Sequence, residues 1–102
     1  MISTILQNNM TIFDQISIRI IKEQELIIGP VAWDEARKVQ GFHVIDSSKG
    51  EVSFDGDAKN VLNKLVAQYE RIFGKASHAV CHDAVQDLIA KMPADEVPES
   101  LK

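Results

Sequence analysis

His78, Cys81 and His82 fall within five consecutive residues and form the densest group of metal-ligating and nucleophilic side-chain types in this 102-residue chain. On a helix, histidines four apart share a face and can reach one metal ion, and a cysteine three after the first approaches the same point. Cys81 and His82 are neighbours, however, and neighbouring helical side chains diverge by about 100°. The three therefore do not converge, and a third ligand would have to come from elsewhere, such as His43. Ala79 stands where a zinc-protease helix carries glutamate after its first histidine. The spacing predicts no stoichiometric zinc and no other cofactor.

The other chemistries open to this group are equally demanding. A nucleophilic cysteine needs a lowered pKa, exposure and a base in reach, and Cys81 falls on the apolar stripe of its helix. Ser77-His78 and His82-Asp83 resemble fragments of a catalytic triad only on paper, because adjacent helical residues do not face one another. For a phosphohistidine, Asp83 and Asp87 would oppose the phosphoryl charge. Asp55-Gly56-Asp57 continues with Ala58-Lys59-Asn60, which lacks the oxygen ligands of a calcium loop. The glycines are isolated from one another, so no phosphate cradle is formed. A small metal- or thiol-dependent enzyme, or a phosphotransfer module, centred on His78, Cys81 and His82 is thus the second reading; no catalytic residue is assigned.

Charge narrows the partners. Eleven Lys and Arg face fifteen Asp and Glu, for a net charge of −4, and cutting the chain after Phe54 leaves −2 on each side. Polyanions are held by several cations gathered on one face. The order helix, helix, hairpin over residues 12–54 has the outline of a winged helix-turn-helix. Its second helix would nevertheless present Asp34 and Glu35 to the phosphates. No nucleic acid and no anionic membrane surface are expected. The longest apolar run, residues 26–33, is interrupted by Gly29-Pro30 and is far short of the roughly 20 residues of a membrane span. One cysteine and no basic, apolar leader fit a cytoplasmic protein.

The elements that must position these residues follow from apolar periodicity. Residues 1–10 read as a flexible leader, residues 11–92 as a single globular domain, and residues 93–102 as an acidic, flexible tail. Thr11 and Asp14 form a capping box for a helix over residues 12–28, whose apolar positions include Phe13, Ile16, Ile20, Ile21, Ile27 and Ile28. Gly29 stops it, and Pro30 opens a second helix over residues 31–40, with Ala32, Ala36 and Val39 inward and Trp33 at the margin. Residues 42–45 and 51–54 form a β-hairpin that pairs Phe42 and Val44 with Val52 and Phe54. The clearest helix covers residues 58–73 and is ended by Gly74; a last helix covers residues 76–92, before Pro93. The expected core joins Phe42, Val44, Val52, Phe54, Leu62, Leu65, Tyr69, Phe73 and Leu88.

The fold class is therefore α+β and mostly helical, a helix-helix-β-hairpin-helix-helix single domain. Its first helix carries more isoleucine than one side of so small a domain buries, and an aromatic at a stripe's margin can anchor an interface. The reading is a small non-catalytic protein-protein interaction or regulatory domain that binds another protein chain or forms a homodimer. The interface expected is Phe13, Ile20, Ile27, Ile28 and Trp33.

Overall fold

The computed structural model describes residues 10–102, so the leader expected over residues 1–10 lies, apart from Met10, outside the described residues. Five helices and one hairpin follow in the order α1 (Ile12–Ile28), α2 (Val31–Arg37), β1 (Phe42–Asp46), β2 (Glu51–Phe54), α3 (Ala58–Phe73), α4 (Lys75–Ala84) and α5 (Gln86–Ile89). Two 3₁₀ turns, Ala94–Glu96 and Glu99–Leu101, complete the described chain. The architecture is α+β and mostly helical, with a two-stranded antiparallel sheet.

Local chemistry accounts for most of the boundaries. The Asp14 amide donates to Thr11 Oγ1 at 3.0 Å, and the Thr11 amide donates to Asp14 Oδ2 at 3.3 Å. This reciprocal pair satisfies two of the free amides at the start of α1. The hairpin register is the one that alternation predicts, Phe42 opposite Phe54 and Val44 opposite Val52. The two phenylalanine rings meet edge to face at 5.2 Å. A bulge between Val44 and Asp46 shifts the ladder before the turn. Gly41 leads into the hairpin at φ +86°, where a Cβ would meet Val61 Cγ2 at 2.9 Å and the Asp55 carbonyl at 3.0 Å. Both the dihedral and the close approach require glycine.

The core is built from Ile16, Ile20 and Ile21 of α1, Ala32, Trp33 and Ala36 of α2, and Val61, Leu62, Leu65, Val66 and Tyr69 of α3. Phe42, Cys81, Val85, Leu88 and Leu101 close it, while Val44, Val52 and Phe54 pack against it half-buried. The two alanines of α2 let α3 come close enough for the Tyr69 hydroxyl to donate to the Ala32 carbonyl at 2.6 Å.

Four expectations are corrected here. First, α2 ends at Arg37 because its last turn tightens: the Lys38 and Val39 amides donate to the Glu35 and Ala36 carbonyls, an i to i+3 pattern that turns Val39 inward. Second, the last helix is two helices. Val85 leaves helical geometry at φ −120°, ψ 10°. Arg19 of α1 donates to the Ala84 carbonyl at 3.2 Å and to Asp87 Oδ1 at 2.9 Å, and Gln86 donates to the His82 carbonyl at 2.8 Å. Side chains thus supply the donors that a continuous helix would have provided. Third, Phe73 is exposed in the final turn of α3. Fourth, residues 93–102 are not a loose tail: Val97, Pro98 and Leu101 are buried, the last two fully.

Candidate functional site

Helix α4 carries His78, Cys81 and His82 in three different environments. Cys81 is fully buried, and the Gln24 amide Nε2 of α1 lies 3.4 Å from its Sγ. Burial pushes the thiol up to about 11, so at neutral pH it holds its proton. A thiol in that state has no thiolate with which to begin nucleophilic chemistry. His78 is engaged at both ring nitrogens: Nε2–H donates to the Ser100 carbonyl at 2.6 Å, and Nδ1 lies 3.2 Å from Glu70 Oε1. His82 faces Asp83 at 3.4 Å through Nδ1 and Gln86 Nε2 at 3.1 Å through Nε2. Among the described residues, no group of three or more His, Cys, Asp and Glu is arranged to hold a metal ion. His43 lies on β1 paired with Asp55 at 2.5 Å.

The five residues expected at an interface are divided by the fold. Ile20 is fully buried and Trp33 is only 6% exposed, which corrects their placement on an outer surface. The reason is the short α2: seven residues lie among α1, β1 and α3, so the arc it buries includes Trp33 as well as Ala32 and Ala36. Phe13 and Ile28 are half-buried and pack on the core. Ile27 alone of the five is open, at 62% exposure.

What emerges instead is an apolar end that periodicity did not reveal. Leu26 is 80% exposed, and Val31, Ile72 and Phe73 are exposed as well. Leu26 and Ile27 stand in the last turn of α1, Val31 opens α2, and Ile72 and Phe73 close α3. Two buried hydrogen bonds bring these termini to one end of the molecule. Tyr69 of α3 reaches Ala32 of α2 at 2.6 Å, and Gln24 of α1 reaches the Ser77 carbonyl of α4 at 3.0 Å.

The signal available in the sequence was Gln24. It occupies a fully buried position one turn before Ile28, so the inward face of α1 runs through Ile16, Ser17, Ile20, Ile21 and Gln24. That face leaves Leu26 pointing away, whereas Ile27 lies on it in line with Ile16 and Ile20 and is open at the last turn of α1. A purely apolar stripe passed over the glutamine.

No helix among the described residues is long and apolar enough to cross a membrane. Comparison of the chain with family models, with curated proteins and with solved structures finds no match.

Proposed function

We propose that this chain is a small non-catalytic protein-interaction domain of the cytoplasm. It docks another protein chain through the apolar end formed by Leu26, Ile27, Val31, Ile72 and Phe73, and its simplest form is a homodimer in which two such ends face each other. The observation that carries this reading is the clustering itself: five of the seven exposed large apolar side chains among the described residues belong to three helix termini held at one end. Exposed apolar residues scattered singly are ordinary, whereas a group confined to one end of a small domain marks an association surface. A surface of this kind can pair with its own copy about a two-fold axis. Nucleic acid and membrane partners are not proposed, in keeping with the net charge of −4.

Sedimentation velocity from about 1 to 500 µM tests it. The parent chain should associate with rising concentration, and Leu26→Ser with Ile27→Ser should remain monomeric with an unchanged circular dichroism spectrum. A parent chain that sediments as the variant does at every concentration overturns the dimer.

A further inference from the structure

Residues 93–102 are attached to the body in an unusual manner. Among the described residues, their backbone–backbone hydrogen bonds beyond the regular elements all stay within the segment: Glu96 to Pro93, Val97 to Ala94, Leu101 to Pro98 and Lys102 to Glu99. The body holds the segment through side chains. Asn63 Oδ1 of α3 accepts from the Ser100 amide at 3.0 Å and from the Ser100 hydroxyl at 2.7 Å. His78 of α4 donates to the Ser100 carbonyl at 2.6 Å. Every polar group of one residue is therefore read, by one side chain from each wall of the α3–α4 groove. Val97, Pro98 and Leu101 are buried alongside, and Pro93 and Pro98 keep extended ψ angles of 143° and 139°. Farther back the segment is touched by Lys59, whose Nζ donates to the Asp95 carbonyl at 2.5 Å.

This is the construction of a peptide in a recognition groove, with main-chain and side-chain polar groups fixing one position and apolar side chains filling the flanks. A segment bound by side chains alone can leave without breaking any backbone ladder of the body. We infer that the groove between α3 and α4 is a binding site for an extended Val-Pro-x-Ser-Leu segment. It is closed in cis by residues 97–101, and it accepts the same segment from a second copy of this chain. The second copy is the occupant because the segment it offers is the one whose fit is on view, and every contact made in cis is remade in trans. In cis the segment competes at an effective concentration of order millimolar, so exchange is suppressed until the cis segment is disabled. This surface is separate from the apolar end, and the inference does not rest on it.

The test mixes two full-length variants, both carrying Leu26→Ser and Ile27→Ser so that the apolar end plays no part. One has Leu101→Asp, which disables its segment and empties its groove. The other has Asn63→Ala and His78→Ala, which disables its groove and frees its segment. Each alone should be monomeric at about 100 µM, and the mixture should form a 1:1 complex at least ten-fold tighter than the self-association of either. A mixture that stays monomeric while both variants keep the parent circular dichroism spectrum overturns the inference. Should either variant lose its fold, hydrogen exchange on the parent chain decides. Amides of residues 97–102 opening at least ten-fold more readily than those of α3 support it, and amides that open only with global unfolding refute it.

Discussion

Two apolar surfaces of this domain differ in one respect, which is whether the chain covers them. The groove between α3 and α4 receives the Glu99–Leu101 turn, and Leu101 joins the core there. The end where α1, α2 and α3 terminate receives nothing among the described residues, and Leu26 and Ile27 stay open to solvent. Helix periodicity is the same kind of signal in both places. Burial is decided by what lies opposite, which is a property of topology and not of the stripe.

Substitutions can break that contrast. The largest effect is expected at Leu65, fully buried in the middle of α3. Truncation to alanine there should cost about 3 to 5 kcal/mol, read in a urea melt, and a midpoint matching the parent would remove α3 from the centre of the core. At the covered groove, Leu101→Ala should cost roughly 2 to 3 kcal/mol, as a buried leucine does. If it costs less than about 0.5 kcal/mol, in the range of an exposed site, the two surfaces are alike and the comparison fails.

Alkaline pH sharpens the contrast without touching either surface. Cys81 rises on folding from the ordinary thiol range near 9.0 to about 11. Between those values the unfolded chain loses the thiol proton while the folded chain keeps it, so the folded state binds more protons and stability falls as pH rises. The part due to Cys81 should approach ~1.4 kcal/mol per pH unit across that window and be absent from Cys81→Ala, whose remaining decline above about pH 10 belongs to the buried Tyr69 hydroxyl, likewise pushed up by burial. A stability curve in which the two chains run parallel above pH 9.0 would show that the thiol is not shielded. The smallest effect belongs to the open end. Leu26→Ser should change monomer stability by no more than about 0.5 kcal/mol while weakening association. A cost well beyond this would mean that Leu26 is covered after all.

Signals contained in a few neighbouring residues were readable from the sequence. The Thr11 and Asp14 capping box, the Gly29-Pro30 junction, the pairing of Phe42 with Phe54 and the limits of α3 all follow from short-range chemistry. What escaped depends on partners far along the chain. The break at Val85 is stabilised by Arg19, 65 residues from the Ala84 carbonyl it caps. Residues 93–102 read as a solvated tail because their composition is acidic and proline-containing, and only Asn63 and His78 show why they dock. Trp33 read as marginal because a helical wheel assumes one buried side, whereas α2 is enclosed on several. Of the candidate interface, Ile27 was the residue placed outside by both sequence and structure.

Gln24 also bears on how α1 chooses its rotation. This helix has isoleucine at seven positions, 12, 16, 18, 20, 21, 27 and 28, spread around much of its circumference. Apolar contact alone would discriminate poorly between turning one isoleucine-rich side inward and turning another. The Gln24 amide breaks that degeneracy, since its Nε2 meets the Ser77 carbonyl and Cys81 Sγ in only one rotational setting. Its Oε1 is buried without a hydrogen-bond partner among the described residues, which costs about 1 to 3 kcal/mol. The domain thus gives up stability at this position for a single answer to the question of which side of α1 faces in, much as one buried asparagine sets the register of a coiled coil. Replacing Gln24 by leucine would exchange that uniqueness for a more stable and less ordered core.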